Sequence, residues 1–297
     1  MRKSIIAASL AAAAFAVPSL AAAQAAAPAA AAPASPHTFT GNVGLFSEYR
    51  FRGITQTFGK PAIHGGFDYS HSSGWYAGNW NSNVNEGAGY PAGNIEMDFY
   101  GGWKNTWGDW GLDVGAIHYA YPGSDANAAT GTSAAFTNPK NGKTHTGAVH
   151  NTEIYIGGSW KWLSLKYNRS TSDYFSLADT KGSSYLDLTG TYDLGDGWGI
   201  TGHVGSVKVK NYSTGARGTN ANYTDWKLGV TKDISGWVLG ASYIDTSAKG
   251  SCSVIGGAVE FYCFANQVPN GGAAAPAGVK FKDAGKSTLV LSITKTF

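Results

Sequence analysis

The chain has 297 residues, with 41 glycines, 13% aromatic residues and only 14% charged residues, where an average soluble domain carries roughly 25%. The formal net charge of +3 gives no basic surface for nucleic acid, and loss of Arg2 and Lys3 with a leader would leave 20 basic and 19 acidic residues. The aromatic content excludes a disordered chain and the lack of apolar runs of about 20 residues beyond the N-terminus excludes a helical membrane bundle, so an all-β chain remains.

Met1, Arg2 and Lys3 precede an apolar run from Ile5 to Leu20 and the small residues Ala21, Ala22 and Ala23. This order predicts a cleaved secretory signal peptide over 1–23; Pro18 in an Ala-rich run argues against a membrane anchor. Residues 24–36 are almost entirely Ala and Pro and read as a linker, leaving 37–297 for the folded part.

From Phe39 the apolar residues alternate. Phe39, Val43, Leu45, Tyr49 and Phe51 take odd positions, and Thr38, Thr40, Asn42, Glu48, Arg50 and Arg52 take even ones, as in a two-faced strand running to Arg52. Further strands are expected near 61–70, 74–84, 94–104, 110–121, 149–158, 161–171, 184–194, 198–209, 223–232 and 236–246. A last one carries Leu289, Leu291, Ile293 and Phe297 opposite Thr288, Ser292, Thr294 and Thr296. That makes twelve strands, most of a length to cross a bilayer when tilted.

The connectors between them run 8, 3, 9, 5, 27, 2, 12, 3, 13, 3 and 40 residues, so short and long alternate. Antiparallel strands put all short connectors on one rim and all long ones on the other. The expected fold is therefore a transmembrane antiparallel up-and-down β-barrel with short periplasmic turns and long extracellular loops. Trp75, Trp103, Trp107, Trp110, Trp160, Trp162, Trp198 and Trp237 cluster at the short turns, as an interfacial girdle would. A soluble β-sandwich also alternates, but it needs neither the rim asymmetry nor the girdle.

Parity puts Glu48, His64, Asp68, Glu96, Asp98, Asp113, Glu153, Asp187, Asp193, His203 and Asp225 in the lumen, with Arg50, Arg52, Lys104, Lys166 and Lys227. Nine acids against five bases point to a mild cation preference. Two readings stand: the opposed charges set the field of an open or loop-gated channel, or they neutralise one another as a salt-bridged plug. The loop 122–148 is long enough to fold inward, and equally could stay at the surface.

Cys252 and Cys263, 11 positions apart in an exported chain, point to a local disulfide ahead of free thiols or half of a metal site. No HExxH, GxSxG, phosphate-binding Gly loop or paired-Cys motif is present, so neither an enzyme nor a cofactor is expected. Ser70, His71, Ser72 and Ser73 bring hydrolase residue types together, but in a short turn where they need no special reason.

The runs Ser47 to Gln56, Lys60 to Tyr69 and Gly74 to Gly78 resemble the TorF family of porins, densely over 42–84 and more loosely as far as Phe297. The resemblance implies an outer-membrane, channel-like barrel and no particular substrate. On this reading Tyr49 and Phe51 face lipid, Arg50 and Arg52 face the lumen opposite Asp68, and Gly53 lets the loop turn away. The terminal Phe297 resembles the signal that outer-membrane proteins offer their assembly machinery. The expected partners are that machinery, outer-membrane lipid and small hydrophilic solutes. The sequence expectation is passive diffusion of such solutes or ions. A closed structural or surface-binding barrel is the alternative, and a barrel lipid hydrolase the third.

Overall fold

The computed structural model describes residues 35–129, 136–256, 258–267 and 278–297. The predicted signal peptide and nearly all of the linker lie outside them. The period-two pattern becomes twelve long strands: β1 (His37–Phe46), β4 (Ala62–His71), β5 (Trp75–Asn83), β6 (Ile95–Trp107), β7 (Trp110–Ala120), β8 (His150–Trp160), β9 (Leu163–Ser170), β10 (Ser184–Gly195), β11 (Trp198–Lys208), β12 (Tyr223–Ile234), β13 (Trp237–Thr246) and β16 (Thr288–Thr296). Two small hairpins stand apart, β2 (Arg50–Phe51) with β3 (Ile54–Thr55), and β14 (Cys263–Ala265) with β15 (Phe281–Asp283). Among the described residues there is no α-helix, only short 3₁₀ turns.

Each long strand pairs antiparallel with its sequence neighbours, and β1 pairs with β16 from Asn42↔Thr296 to Phe46↔Ser292, which closes the barrel. Phe297 extends this seam by exchanging two backbone hydrogen bonds with Gly41, 2.7 and 2.9 Å long. Its ring lies where a Cβ on Gly41 would stand.

The two rims differ as connector length predicts. Short turns follow β4, β6, β8, β10 and β12, and every long connector lies at the other end. Two short turns show why they are short: Asp196 and Gly197 have φ of +51° and +77°, and Ser235 and Gly236 have +55° and +81°. Paired positive φ is the tight hairpin turn whose twist matches the flanking strands. All eight girdle tryptophans sit at this rim, with Trp75 62% and Trp110 64% exposed.

The wall is inverted relative to a soluble barrel. Phe39, Leu45, Phe67, Phe99, Ile154, Leu188, Val204, Leu228, Leu239 and Leu291 project outward and are exposed, while Glu96, Asp98, Glu153, Asp187 and Asp225 point inward and are buried. A continuous apolar belt outside a polar interior is the arrangement of a barrel whose solvent is lipid.

The first strand departs from expectation. It ends at Phe46, paired with Ala62, so the connector to β4 is 47–61 and begins six residues before the sequence boundary. This segment turns into the lumen instead of continuing up the wall. Tyr49 and Phe51, expected to face lipid, are 3% and 7% exposed and pack inside the barrel.

Candidate functional site: the lumen and its inturned hairpin

Exposure of the inward side chains changes steadily along the lumen. On β6 it rises from buried Glu96 and Asp98 through half-buried Tyr100 to exposed Lys104 and Thr106. On β10 it rises from buried Tyr185 and Asp187 to exposed Thr191 and Asp193, and on β12 from buried Tyr223 and Asp225 to exposed Thr231. Solvent therefore enters from the short-turn end and stops where the segment 47–61 begins.

That segment is organised by the β2–β3 hairpin. Its turn, Arg52-Gly53, has φ of +48° and +80°, and a Cβ on Gly53 would stand 2.9 Å from Asp225 Cβ. Glycine is needed there both for the positive φ and for the closeness of the β12 wall. From this turn Arg52 reaches Glu153 on β8, five strands from β1 in a ring of twelve and so almost across the lumen. Its Nη2 and Nη1 donate to Glu153 Oε2 and Oε1 at 2.7 and 3.1 Å, and Nη1 also donates to the Tyr174 hydroxyl at 3.2 Å. The guanidinium lies 4.3 Å from the Tyr185 ring centre and 4.7 Å from that of Phe51.

Other contacts tie the segment to wall and loops. The Tyr49 hydroxyl donates to Glu96 at 2.8 Å, and Tyr90 donates to Gln56 Oε1 at 2.5 Å. Arg50 donates to the backbone oxygens of Gly53 and Ala284, both at 2.9 Å, and pairs with Glu48 at 3.2 Å. Phe51 packs edge-on to Tyr119 and Phe175. The expected opposition of these arginines to Asp68 is not found: Asp68 accepts from Tyr100 at 2.6 Å, and Arg52 uses Glu153. Arg52 does not sit on the wall beside β4 but reaches β8 and β10 across the lumen, so the acid of the adjacent strand is not its partner.

The remaining sequence candidates line the wall in small sets. His203 lies between Asp225, 2.8 Å from Nε2, and Asp187, 3.3 Å from Nδ1, and Tyr185 donates to Asp225 at 3.1 Å. Lys227 faces the lumen beside them, register-paired to His203. Asp113 accepts from Tyr76 at 2.5 Å and pairs with Lys166 at 3.0 Å, and Tyr155 closes the set by a hydrogen bond with Tyr76. Lys104 stands 5.2 Å from the Tyr76 ring centre, and Asp193 is exposed. His64 is held among the rings of Phe46, Tyr49 and Trp80, with no hydrogen bond to Nε2. Glu96 and Asp98 form an acidic step on β6, and neither oxygen of Asp98 receives a hydrogen bond.

Several lumen tyrosines were not singled out from the sequence. Tyr100 and Tyr185 share the parity of Asp98 and Asp187 on their own strands, which was the available signal, whereas β5 carries no acid to mark the face of Tyr76. Loop 122–148, the sequence candidate for a constriction, is described at 122–129 and 136–148. Phe136 there is buried in the cluster that includes Tyr49 and Phe51, and Asn138 bonds the backbone oxygens of Ala178 and Asn211 at 2.7 and 3.1 Å. Through Phe136 and Ala126 the described part of this loop joins the buried cluster around Tyr49 and Phe51, so loop and hairpin close this end of the bore together.

At the other rim His71 Nδ1 lies 2.6 Å from Ser73 Oγ, and no carboxylate approaches His71 to within 4.0 Å among the described residues. Cys252 and Cys263 are joined in a disulfide with Cα atoms 5.1 Å apart, in the connector that also carries β14 and β15.

Solved structures similar to this chain include the KdgM porin, at 6% identity over 87% of this chain and 99% of that one, with a TM-score of 0.46. The NanC porin is similar at 11% identity over 88% and 99%, with a TM-score of 0.44. The COG4313 outer membrane channel from Pseudomonas putida F1 is similar at 9% identity over 90% and 97%, with a TM-score of 0.44. No curated protein sequence matches. The family model that does match spans 30–268, from before the first strand through the inturned hairpin to the disulfide loop, and the chain belongs to that family, Gcw_chp, described as bacterial protein of unknown function.

Proposed function

We propose that this chain is an outer-membrane channel of porin type, letting small hydrophilic solutes or ions diffuse across a Gram-negative outer membrane, with the hairpin segment 47–61 as its gate. The observation that carries the reading is the acidic step behind the hairpin. Glu96 and Asp98 are each 1% exposed, and each has the other acid as its neighbour on the inward face of β6. Two neighbouring acids held ionised out of water cost several kcal/mol, and withdrawal of the hairpin would return both to water. The wall below is already wet, so movement of this segment, with the loop side chains packed on it, would join the two ends.

The excess of acids over bases on the lumen wall supports a mild preference for cations. The resemblance of the hairpin sequence itself, Ser47 to Gln56, to TorF porins supports the same assignment. It also favours export by a cleaved leader over 1–23, a barrel over 37–297 and assembly through Phe297. One observation favours a closed structural barrel: the Arg52–Glu153 pair is bidentate and almost fully buried, as a permanent brace would be. Conductance of the purified chain in a planar bilayer separates the two. The channel reading expects discrete steps and a cation-directed reversal potential in a salt gradient; a folded barrel that gives no steps, even with the hairpin removed, is structural.

A further inference from the structure

A second feature lies on the outer face at the long-loop rim. Arg169, Ser184 and Lys208 stand side by side on β9, β10 and β11, in direct register. All three have the outward parity of Leu165, Leu186 and Val204, and both cations are exposed. Lys210 continues the column past β11. A Cβ on Gly182 would stand 3.3 Å from Arg169 Nη2 and 3.7 Å from Lys210 Nζ, so those two cationic groups are at most 7.0 Å apart. None of Arg169, Lys208 and Lys210 makes an ion pair among the described residues. An open concavity of about 500 Å³ lies against Lys208 and Lys210, lined also by Gly182, Ser184, Ser206 and Thr224, and Arg169 stands beside it across Gly182.

Convergent, unpaired cations repel one another and favour an anion between them. What lies beneath selects its kind. One row down, two residues or about 7 Å toward the membrane middle, are Tyr167, Leu186, Ser206 and Thr224. The next row is Leu165, Leu188, Val204 and Trp226, continuous and apolar. From rim to belt the rows run from cations, through one that mixes the hydroxyls of Tyr167, Ser206 and Thr224 with Leu186, to hydrocarbon, which is the order of groups in a lipid with an anionic head. A free anion would have no use for the two lower rows.

We propose that Arg169, Lys208 and Lys210 form a binding site for the phosphate-bearing headgroup of an outer-leaflet lipid, whose acyl chains lie over Leu165, Leu188, Val204 and Trp226. The placement in the outer leaflet rests on the outer-membrane reading above; the site does not depend on conduction. The Ser184 hydroxyl supplies a neutral donor between Arg169 and Lys208, and those of Ser206 and Thr224 lie between the charges and the chains.

The test uses the purified full chain in detergent, titrated with diphosphorylated lipid A, with the same lipid after phosphatase treatment, and with inorganic phosphate. The R169Q/K208Q/K210Q variant is compared with a K140Q/K249Q/K280Q control, which removes three exposed loop charges elsewhere. Three surface charges at about five-fold each predict on the order of 100-fold weaker binding of the phosphorylated lipid by the first variant and little change in the control. Wild type should prefer the phosphorylated lipid, and inorganic phosphate at equal concentration should not displace it. Equal weakening in both variants, no preference for the phosphorylated form, or displacement by inorganic phosphate would each overturn the proposal. Heat-modifiable migration checks that every variant is a folded barrel, and an R169K variant retaining binding separates lost charge from lost structure. A barrel that binds the lipid and conducts nothing keeps this site and loses the channel reading.

Discussion

Replacing Glu153 by Gln keeps the shape of the side chain and one acceptor oxygen, and removes the charge facing Arg52. The two side chains are 2% and 0% exposed, so solvent screening does not reduce their interaction. Breaking a buried pair by removing one partner costs about 3 kcal/mol, chiefly because the other charge is left without compensation. That cost falls on the closed arrangement alone, since a withdrawn hairpin would hold Arg52 in water. The open-to-closed ratio should therefore rise by about 100-fold in E153Q. The assay is the open fraction of single channels in a planar bilayer, with heat-modifiable gel migration to check the barrel. An open fraction within about threefold of wild type, in a variant that migrates as a folded barrel, would refute the idea that this pair holds the gate.

Gly53→Ala tests the same segment from its other side: a Cβ at φ of +80° would press on Asp225 at 2.9 Å, so at least about 1–2 kcal/mol of strain should raise the open fraction at least about fivefold. Neutralising Asp113 and Asp193 together should move the reversal potential in a salt gradient toward zero, and an unchanged potential would remove these acids from any role in selectivity. Cys252→Ser with Cys263→Ser should leave barrel migration unchanged and speed protease cleavage of the segment 253–262 by up to about 100-fold, the chain-entropy value for so short a closed loop being about 3 kcal/mol. Deleting Phe297 removes the two backbone bonds to Gly41, and the share of chain that becomes heat-modifiable in the membrane fraction should fall; an equal share would sink its role in assembly.

The barrel was legible because its determinants are local. Alternation needs only neighbouring residues, and the turns Asp196-Gly197 and Ser235-Gly236 fix their hairpins within two positions. The disulfide closes a loop of similar locality. The inturned hairpin was not legible for a related reason: Tyr49, Arg50, Phe51 and Arg52 alternate as a strand does, because they do belong to a small hairpin, but one that leaves the wall at Phe46. An apolar residue inside a polar lumen breaks the rule that sorted the two faces. Phe51 is tolerated there because Tyr119 and Phe175 give it an aromatic seat, contributed by chain 68 and 124 residues away. The acid facing Arg52 lies 101 residues away in sequence, beyond any spacing argument. The same faces hid the lumen tyrosines, whose rings count as apolar while their hydroxyls bond Asp68, Asp113 and Asp225.

A channel of this kind needs a water-filled bore stopped at the segment 47–61, and removing that segment tests the proposal most directly. Replacing 48–59 with a short Gly-Ser linker leaves all twelve barrel strands, since β1 ends at Phe46 and β4 begins at Ala62. The shortened chain should give long, stable conductance steps, larger in open fraction than those of wild type, with cations carrying the greater share. A shortened chain that migrates as a folded barrel and passes no current would contradict the proposal.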